Sequence, residues 1–287
     1  ASYSRMSAFS VQPFSVEVVL ELPSGKPVAE NLIYSCAAVS LQDYKVIPNK
    51  VMVKGDVTLR LLYSSSLDSA VLETMEYAIP FSQMLDCAGI SEEMECDVRL
   101  SVVGTDVQIK NDYSGGKVFF DAQIRISADM TAYQNSETGY VSDAYSKKYE
   151  MNLDFQQRNV DELLEIFSDS IVDKASFPLE QGVSKVVDVW SELCTVSCAR
   201  EENSLILRGK YSICILALSA DGTPFYRERV ADYEYKRPFA GTGEARCDPE
   251  ASVAGMSYRI TSSELEVKTE LAFSGAVFAR KTCRMVE

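Results

Sequence analysis

Cys194 and Cys198, in the stretch CTVSC, are the most closely spaced pair of soft, nucleophilic side chains in the sequence. On an extended strand that spacing puts both on one face about 13 Å apart, too far for one metal ion or for a disulfide. The other six cysteines, Cys36, Cys87, Cys96, Cys214, Cys247 and Cys283, are scattered through apolar stretches, where a thiol behaves as a small core residue. Neither a metal site nor a disulfide framework is expected, and the pattern suits reduced thiols in a cytosolic setting. Histidine is absent. That removes the usual base for a serine or cysteine nucleophile and most zinc sites, and the paired C-x-x-C spacing of all-cysteine zinc sites is missing as well. Neither glycine-rich phosphate loop, GxxxxGK[ST] or GxGxxG, occurs. Among the 42 carboxylates the densest run is ISEEMECD at 90–97. A solvated loop is its simplest reading, because glycoside hydrolysis needs two carboxylates face to face and a sequence does not show that. No catalytic, cofactor-binding or metal-binding residue is expected.

Tyrosine is the remaining functional type. In TAYQNSETGYVSDAYSKKYEMNL, residues 131–153, Tyr133, Tyr140, Tyr145 and Tyr149 punctuate polar neighbours. Rings that pack while their hydroxyls stay wet explain such a pattern in a solvated hairpin; enrichment of tyrosine at interfaces explains it as a contact face. Tyr140, Asp143, Tyr145 and Tyr149 are therefore the candidate interaction or junction residues, with packing at a junction preferred over a partner surface. The net charge of −14 is shared by both halves: residues 1–150 carry 12 basic against 20 acidic side chains, and residues 151–287 carry 16 against 22. Without a basic footprint, nucleic acid and anionic membrane are disfavoured as direct ligands. The longest apolar runs, such as ICILAL, fall far short of the ~20 residues of a spanning helix, so no membrane insertion is expected. ASYSRMSAF at the start lacks the basic head and apolar stretch of a signal peptide.

The elements that hold these side chains read as strands. FSVEVVLELP alternates apolar and polar residues before the turn Pro23-Ser24-Gly25. VMVKGDVTLRLLY at 51–63 and LILRGKYSICILAL at 205–218 share a layout anchored on Gly55 and Gly209, 154 residues apart, with the alternation in phase. Cys96-Asp97 and Cys247-Asp248 repeat at 151, and the strand Val118–Ile126 aligns with Leu265–Phe273 at 147. One stretch breaks the rule: in NVDELLEIFSDSIV, Val160, Leu163, Leu164, Phe167 and Ile171 follow helical spacing, and Asn159 with Glu162 resembles a capping box. The expectation is a mainly β protein with two tandem β-sandwich or barrel-like domains related by internal duplication, residues 10–155 and 175–287, joined by one short helix within 156–174.

Four ordered segments, LELPSGKPVAENLIY, KVIPNKVMVKGDVTLRLLY, YAIPFSQMLDCAGI and VSDAYSKKYEMNL, resemble the SPOCS domain, a spore-coat-associated domain. The overall likeness is to SipL-type sporulation proteins of Clostridia. Residues 177–280 look like a second, divergent copy in which KRPFAG replaces the IPF element. The resemblance implies a non-catalytic scaffold of the spore envelope that binds other spore morphogenetic proteins and works in the mother-cell cytoplasm at the forespore surface. In SipL-type proteins contact with the coat-base ATPase SpoIVA is attributed chiefly to a LysM module, which has no counterpart in these 287 residues. The rival reading is a cell-envelope module that binds or cleaves glycan, with carboxylates and tyrosines lining a groove.

Overall fold

The computed structural model describes residues 2–65, 71–111, 113, 115–178, 183–192, 194–241, 243–261 and 264–286. The first half contains β1 (Ser2–Glu21), β2 (Asn31–Ile47), β3 (Lys50–Ser64), β4 (Leu72–Asp86), β5 (Glu95–Asn111) and β6 (Lys117–Glu137). The second contains β7 (Phe155–Pro178), β8 (Val183–Trp190), β9 (Ser197–Glu201), β10 (Ser204–Ser219), β11 (Pro224–Pro238), β12 (Glu244–Ile260) and β13 (Glu264–Val286). In the first unit the antiparallel sheets β1-β6-β5 and β2-β3-β4 face each other. Alternation decides which side chains fill the space between them: Val57, Leu59, Leu61 and Tyr63 of β3 meet Phe120, Ala122, Ile124 and Ile126 of β6. The second unit has the same plan, β7-β13-β12 against β11-β10 with β8 and β9. Its β8 and β9 both pair with β10, as the single strand β2 pairs with β3.

The expected helix is a strand. β7 runs through NVDELLEIFSDSIV without a break and pairs with β13. A β-bulge explains the helical spacing. Leu163 lies opposite Phe278 and Glu165 opposite Val277, so Leu164 is the extra residue. An inserted residue shifts the two-residue alternation by one, which puts Leu163 and Ile166 on one face against Ala276 and Phe278. Phe167 and Ile171 fall on the other face, in the second unit's main core. The residues read as a capping box are cross-strand partners: Thr282 donates a hydrogen bond to Asn159 Oδ1 (2.8 Å), and Glu162 pairs with Lys281. There is no helix among the described residues.

The irregularities repeat along with the strands. β1 has its own bulge at Ser7, between Met6 opposite Tyr133 and Ala8 opposite Ala132, which corresponds to Leu164 on β7. β5 is bulged between Val102 and Gly104, and β12 between Val253 and Gly255, within the related stretches SVVGTDVQI and SVAGMSYRI. Gly55 lies opposite Phe81 and Gly209 opposite Tyr233. In both places a Cβ would collide with a backbone oxygen of the neighbouring segment, 2.2 Å from Ser40 O or 1.8 Å from Thr195 O, and with the facing aromatic side chain. Phe81 continues onto Phe14 of the opposite sheet and Tyr233 onto Phe273, each with ring centroids 5.4 Å apart. The closing strands, however, match two residues away from the alignment read in the sequence. Phe120 lies opposite Ile109 as Leu265 lies opposite Ile260, so Leu265 corresponds to Phe120 and not to Val118.

Equivalent core positions differ in polarity. The first unit packs Val16, Val57 and Ile124 together, where the second has Asp173, Tyr211 and Thr269. The Tyr211 hydroxyl donates to Asp173 Oδ2 at 2.7 Å, and burial together with that carboxylate pushes the phenol up to about 12. Tyr211→Phe is therefore expected to cost about 2 kcal/mol, the range for stranding a buried acceptor. Urea denaturation at neutral pH measures it; an unchanged midpoint would mean that water replaces the lost donor.

Candidate functional site at the junction of the two units

Three sets of contacts join the units. On the outer face of β2-β3-β4, Arg60 reaches across to β8: its guanidinium donates to Val189 O (2.6 Å) and pairs with Asp188 (3.2 Å) while holding Glu76 of its own unit (2.7 Å). Burial pushes the Asp188 carboxyl up, against the lowering effect of the Arg60 charge. Beside it, Thr74 Oγ1 donates to Val187 O (3.1 Å), and Lys185 donates to Leu72 O (3.0 Å) and pairs with Glu73 (2.7 Å). The backbone acceptors of an edge strand of the second unit are thus satisfied by side chains of the first. On the opposite side Arg99 holds Asp97 (2.8 Å) within its own unit and Asp248 (3.2 Å) and Glu250 (3.4 Å) of β12. A third, apolar contact sets Tyr133 against Phe278, ring centroids 5.2 Å apart at 72°, and the N–H of Leu163 donates to Ser4 Oγ at 2.7 Å.

Between these contacts lies a cavity of about 660 Å³ lined from both units, by Ala38, Tyr44 and Arg99 of the first and Phe167, Cys194 and Phe273 of the second. Ser40, Thr58, Ser168, Ser252 and Ser274 add hydroxyls to the lining, and the Arg99 cluster borders it. Each ionisable group of the charged contacts has an opposite charge within 3.4 Å, an arrangement suited to fixing one unit on the other. Sequence reading did not find Arg60, Asp188, Arg99 or Lys185. No local pattern marks residues whose partners lie in the other half of the chain.

The junction also carries a pH dependence. Burial alone would raise the Glu73 carboxyl, but the hydrogen bonds and charges of Lys185 and Lys26 outweigh it and hold it below the usual carboxylate range. A carboxyl depressed in the folded state contributes stability that is present above its unfolded pKa and is lost as pH falls through its folded pKa. The difference in urea midpoint between the protein and Glu73→Gln should therefore be full at neutral pH and close once acid protonates Glu73. A difference that persists unchanged in acid would contradict the assignment.

The tyrosine segment occupies the chain between β6 and β7. Val141 O accepts the backbone N–H of Val286 (2.8 Å), which ties the start of the segment to the end of β13. The Tyr140 hydroxyl is pushed up by its hydrogen bond with the Cys283 thiol. Asp143 Oδ1 accepts from the N–H of Ala144, and Ser146 Oγ accepts from those of Lys148 and Tyr149, so the polar side chains serve local turns. Tyr145 is 82% exposed and Tyr149 77%. This corrects the preference for junction packing: the sequence placed these rings beside the junction, and the turns between Asp143 and Tyr149 carry them out into solvent. Tyr145→Ala and Tyr149→Ala are expected to leave the melting temperature within the scatter of surface substitutions, about 0.5 kcal/mol. A loss of several degrees would restore the packing role.

No helix among the described residues is long and apolar enough to cross a membrane. No curated protein and no solved structure matches the chain. Residues 29–110, spanning β2 to β5 and including Gly55, Arg60 and Arg99, match the family model described as SipL, SPOCS domain. The sheet β2-β3-β4 and its neighbour β5, which supply the first unit's charged grip on the second, are therefore the part of the chain that is similar to the SPOCS domain of SipL-type proteins.

Proposed function

We propose that the protein is a non-catalytic scaffold of the bacterial spore envelope, working in the mother-cell cytoplasm at the forespore surface and binding other spore morphogenetic proteins. The observation that carries this reading is the SPOCS match over residues 29–110. A scaffold needs fixed geometry and an accessible face. The first is supported by the ion pairs that Arg60 and Arg99 make across the junction, the second by the segment holding Val141, Tyr145, Tyr149 and Met151, all exposed. Tyrosines supply large, stiff contact area with a polar tip, and residues of that kind dominate binding energy when a partner covers them. Coat components other than SpoIVA are the partners expected of these residues, since SpoIVA contact in SipL-type proteins goes chiefly through a LysM module.

The test compares the protein with a Tyr145→Ala/Tyr149→Ala double variant as bait in extracts of sporulating cells, alongside binding to purified spore glycan. Named coat proteins retained by the wild type, and held more weakly by about 1 kcal/mol or more per tyrosine in the double variant, are the expected result. Retention of glycan with no coat protein would overturn the proposal in favour of an envelope glycan module.

A further inference from the structure

One end of the second unit's core is chemically unlike its counterpart in the first. In the first unit that end is apolar, with Ala8, Leu85 and Cys96 buried and Tyr44 packed against them. By strand register the second unit has Glu165, Arg237, Cys247 and Cys198 at the same positions. Cysteine in place of Tyr44 removes a ring from the seam between the edge strand of one sheet, β9, and the edge strand of the other, β12. Arg237 extends into this region with its side chain only 9% exposed. Its guanidinium lies 3.8 Å from the centre of the Phe167 ring and pairs with Glu165 (3.0 Å), with Asp169 farther off at 3.7 Å. Its Nε and Nη1 have no hydrogen-bond partner among the described residues. Cys198 on β9 and Cys247 on β12 both pack against the second unit's core at this seam, both are partly open to solvent and unbonded, and the Arg237 charge acts on both.

We propose that Cys198 and Cys247 are an oxidisable pair that a peroxide converts into a disulfide fastening β9 to β12, with Arg237 as the positioning residue. The Cys198 sulfur, as thiolate, attacks one peroxide oxygen. The O–O bond breaks, hydroxide leaves and is protonated to water, and Cys198 becomes a sulfenic acid. The Cys247 sulfur then attacks the Cys198 sulfur, its thiol proton joins the departing hydroxide as a second water, and the S–S bond forms. Two thiols are oxidised by two electrons and one peroxide is reduced to two waters. The chemistry selects Cys198 because a thiolate is the nucleophile. Interaction with the Cys247 thiol and the charge of Arg237 hold its thiol below the ordinary range, whereas burial pushes Cys96 up to about 12, Cys194 up to about 11, and Cys36 and Cys87 upward.

The experiment treats the folded, reduced protein with hydrogen peroxide, blocks remaining thiols with an alkylating agent and maps the peptides without reduction. Loss of two alkylatable thiols of the eight, as one Cys198–Cys247 linked peptide, is expected. Cys247→Ser should instead accumulate a sulfenic acid at Cys198 that a cyclic 1,3-dione captures. Arg237→Lys, which keeps a positive charge among Glu165 and Asp169, should slow the reaction less than Arg237→Met does, provided both variants melt as folded proteins. If only one of the two folds, its rate is read against that of the wild type, and an unchanged rate removes Arg237 from the account. Peroxide that consumes another cysteine first, or that leaves Cys198 and Cys247 both alkylatable, overturns the pair.

Discussion

Ile213→Asp abolishes the folded second unit, and Leu59→Asp the first: that is the expected outcome of placing a carboxylate at the centre of each main core. Both side chains are fully buried, on β10 and β3, the central strands of their sheets. Leu59 lies between Ala37 and Tyr77 in its sheet and belongs to the cluster of Val57, Leu61, Phe120 and Ile124, with no cation opposite it; Ile213 shares its cluster with Tyr211, Ile215 and Phe273, and the cation opposite it, Arg229, is engaged by Ser176 O and the Phe177 ring. An unpaired charge in such a place costs several kcal/mol, a large fraction of the ~5–15 kcal/mol that holds an ordinary domain together. Thermal melting followed by circular dichroism reads the effect. Because the units share the Arg60 and Arg99 ion pairs, the surviving unit should melt below its temperature in the intact protein. If both variants melt like the wild type, the alternation does not mark the buried face.

Gly209→Ala and Gly55→Ala are the second large effect, and they probe backbone rather than side-chain packing. A methyl group at residue 209 would stand 1.8 Å from Thr195 O and 2.6 Å from the Tyr233 hydroxyl, and one at residue 55 would stand 2.2 Å from Ser40 O and 2.8 Å from the Phe81 ring. Aromatic tips can swing away, but a carbonyl oxygen moves only with its chain. Thr195 is anchored by Tyr233, whose hydroxyl donates to Thr195 O at 2.5 Å, and by its own N–H, which donates to Lys210 O at 2.8 Å. Overpacking a tight site costs about 1–3 kcal/mol and at times more, and both variants should fall at the upper end, with Gly209 the worse. The readout is the urea midpoint of each variant. Substitution at either position without loss would show that the neighbouring segment does not lie over the glycine.

Where the sequence was legible, it was so for a local reason. VMVKGDVTLRLLY and LILRGKYSICILAL keep the same phase around their glycines on central strands, so the equivalence of Gly55 with Gly209 and the inward face of Leu59 and Ile213 follow from spacing alone. The helix reading failed because the bulge at Leu164 moves Leu163 and Ile166 to one face and Phe167 and Ile171 to the other. One extra residue turned a period of two into a spacing of three and four. The slip from Val118 to Phe120 has a different origin. A period of two fixes which face a residue takes, but it is unchanged by a shift of two residues, and only the pairing of Ile109 with Phe120 and of Ile260 with Leu265 resolves it. Strand spacing separates Cys194 from Cys198, which lie opposite Tyr211 and Leu207 of β10, yet that argument says nothing of Cys247, which packs against the same core from the other sheet. The junction was illegible for the same reason, since Arg60 and Asp188, or Arg99 and Glu250, are partners only through the docking of the two units.

The central claim is that this chain, similar to the SPOCS domain over residues 29–110, organises the spore envelope through protein contacts. Its most direct test is removal of the gene in its spore-forming host, with thin-section electron microscopy of sporulating cells complemented by wild type or by the Tyr145→Ala/Tyr149→Ala variant. The account predicts coat material detached from the forespore or misassembled without the protein, repair by the wild type, and weaker repair by the double variant at equal protein level. A normal coat in the deletion strain, with the defect confined to spore glycan, would contradict it.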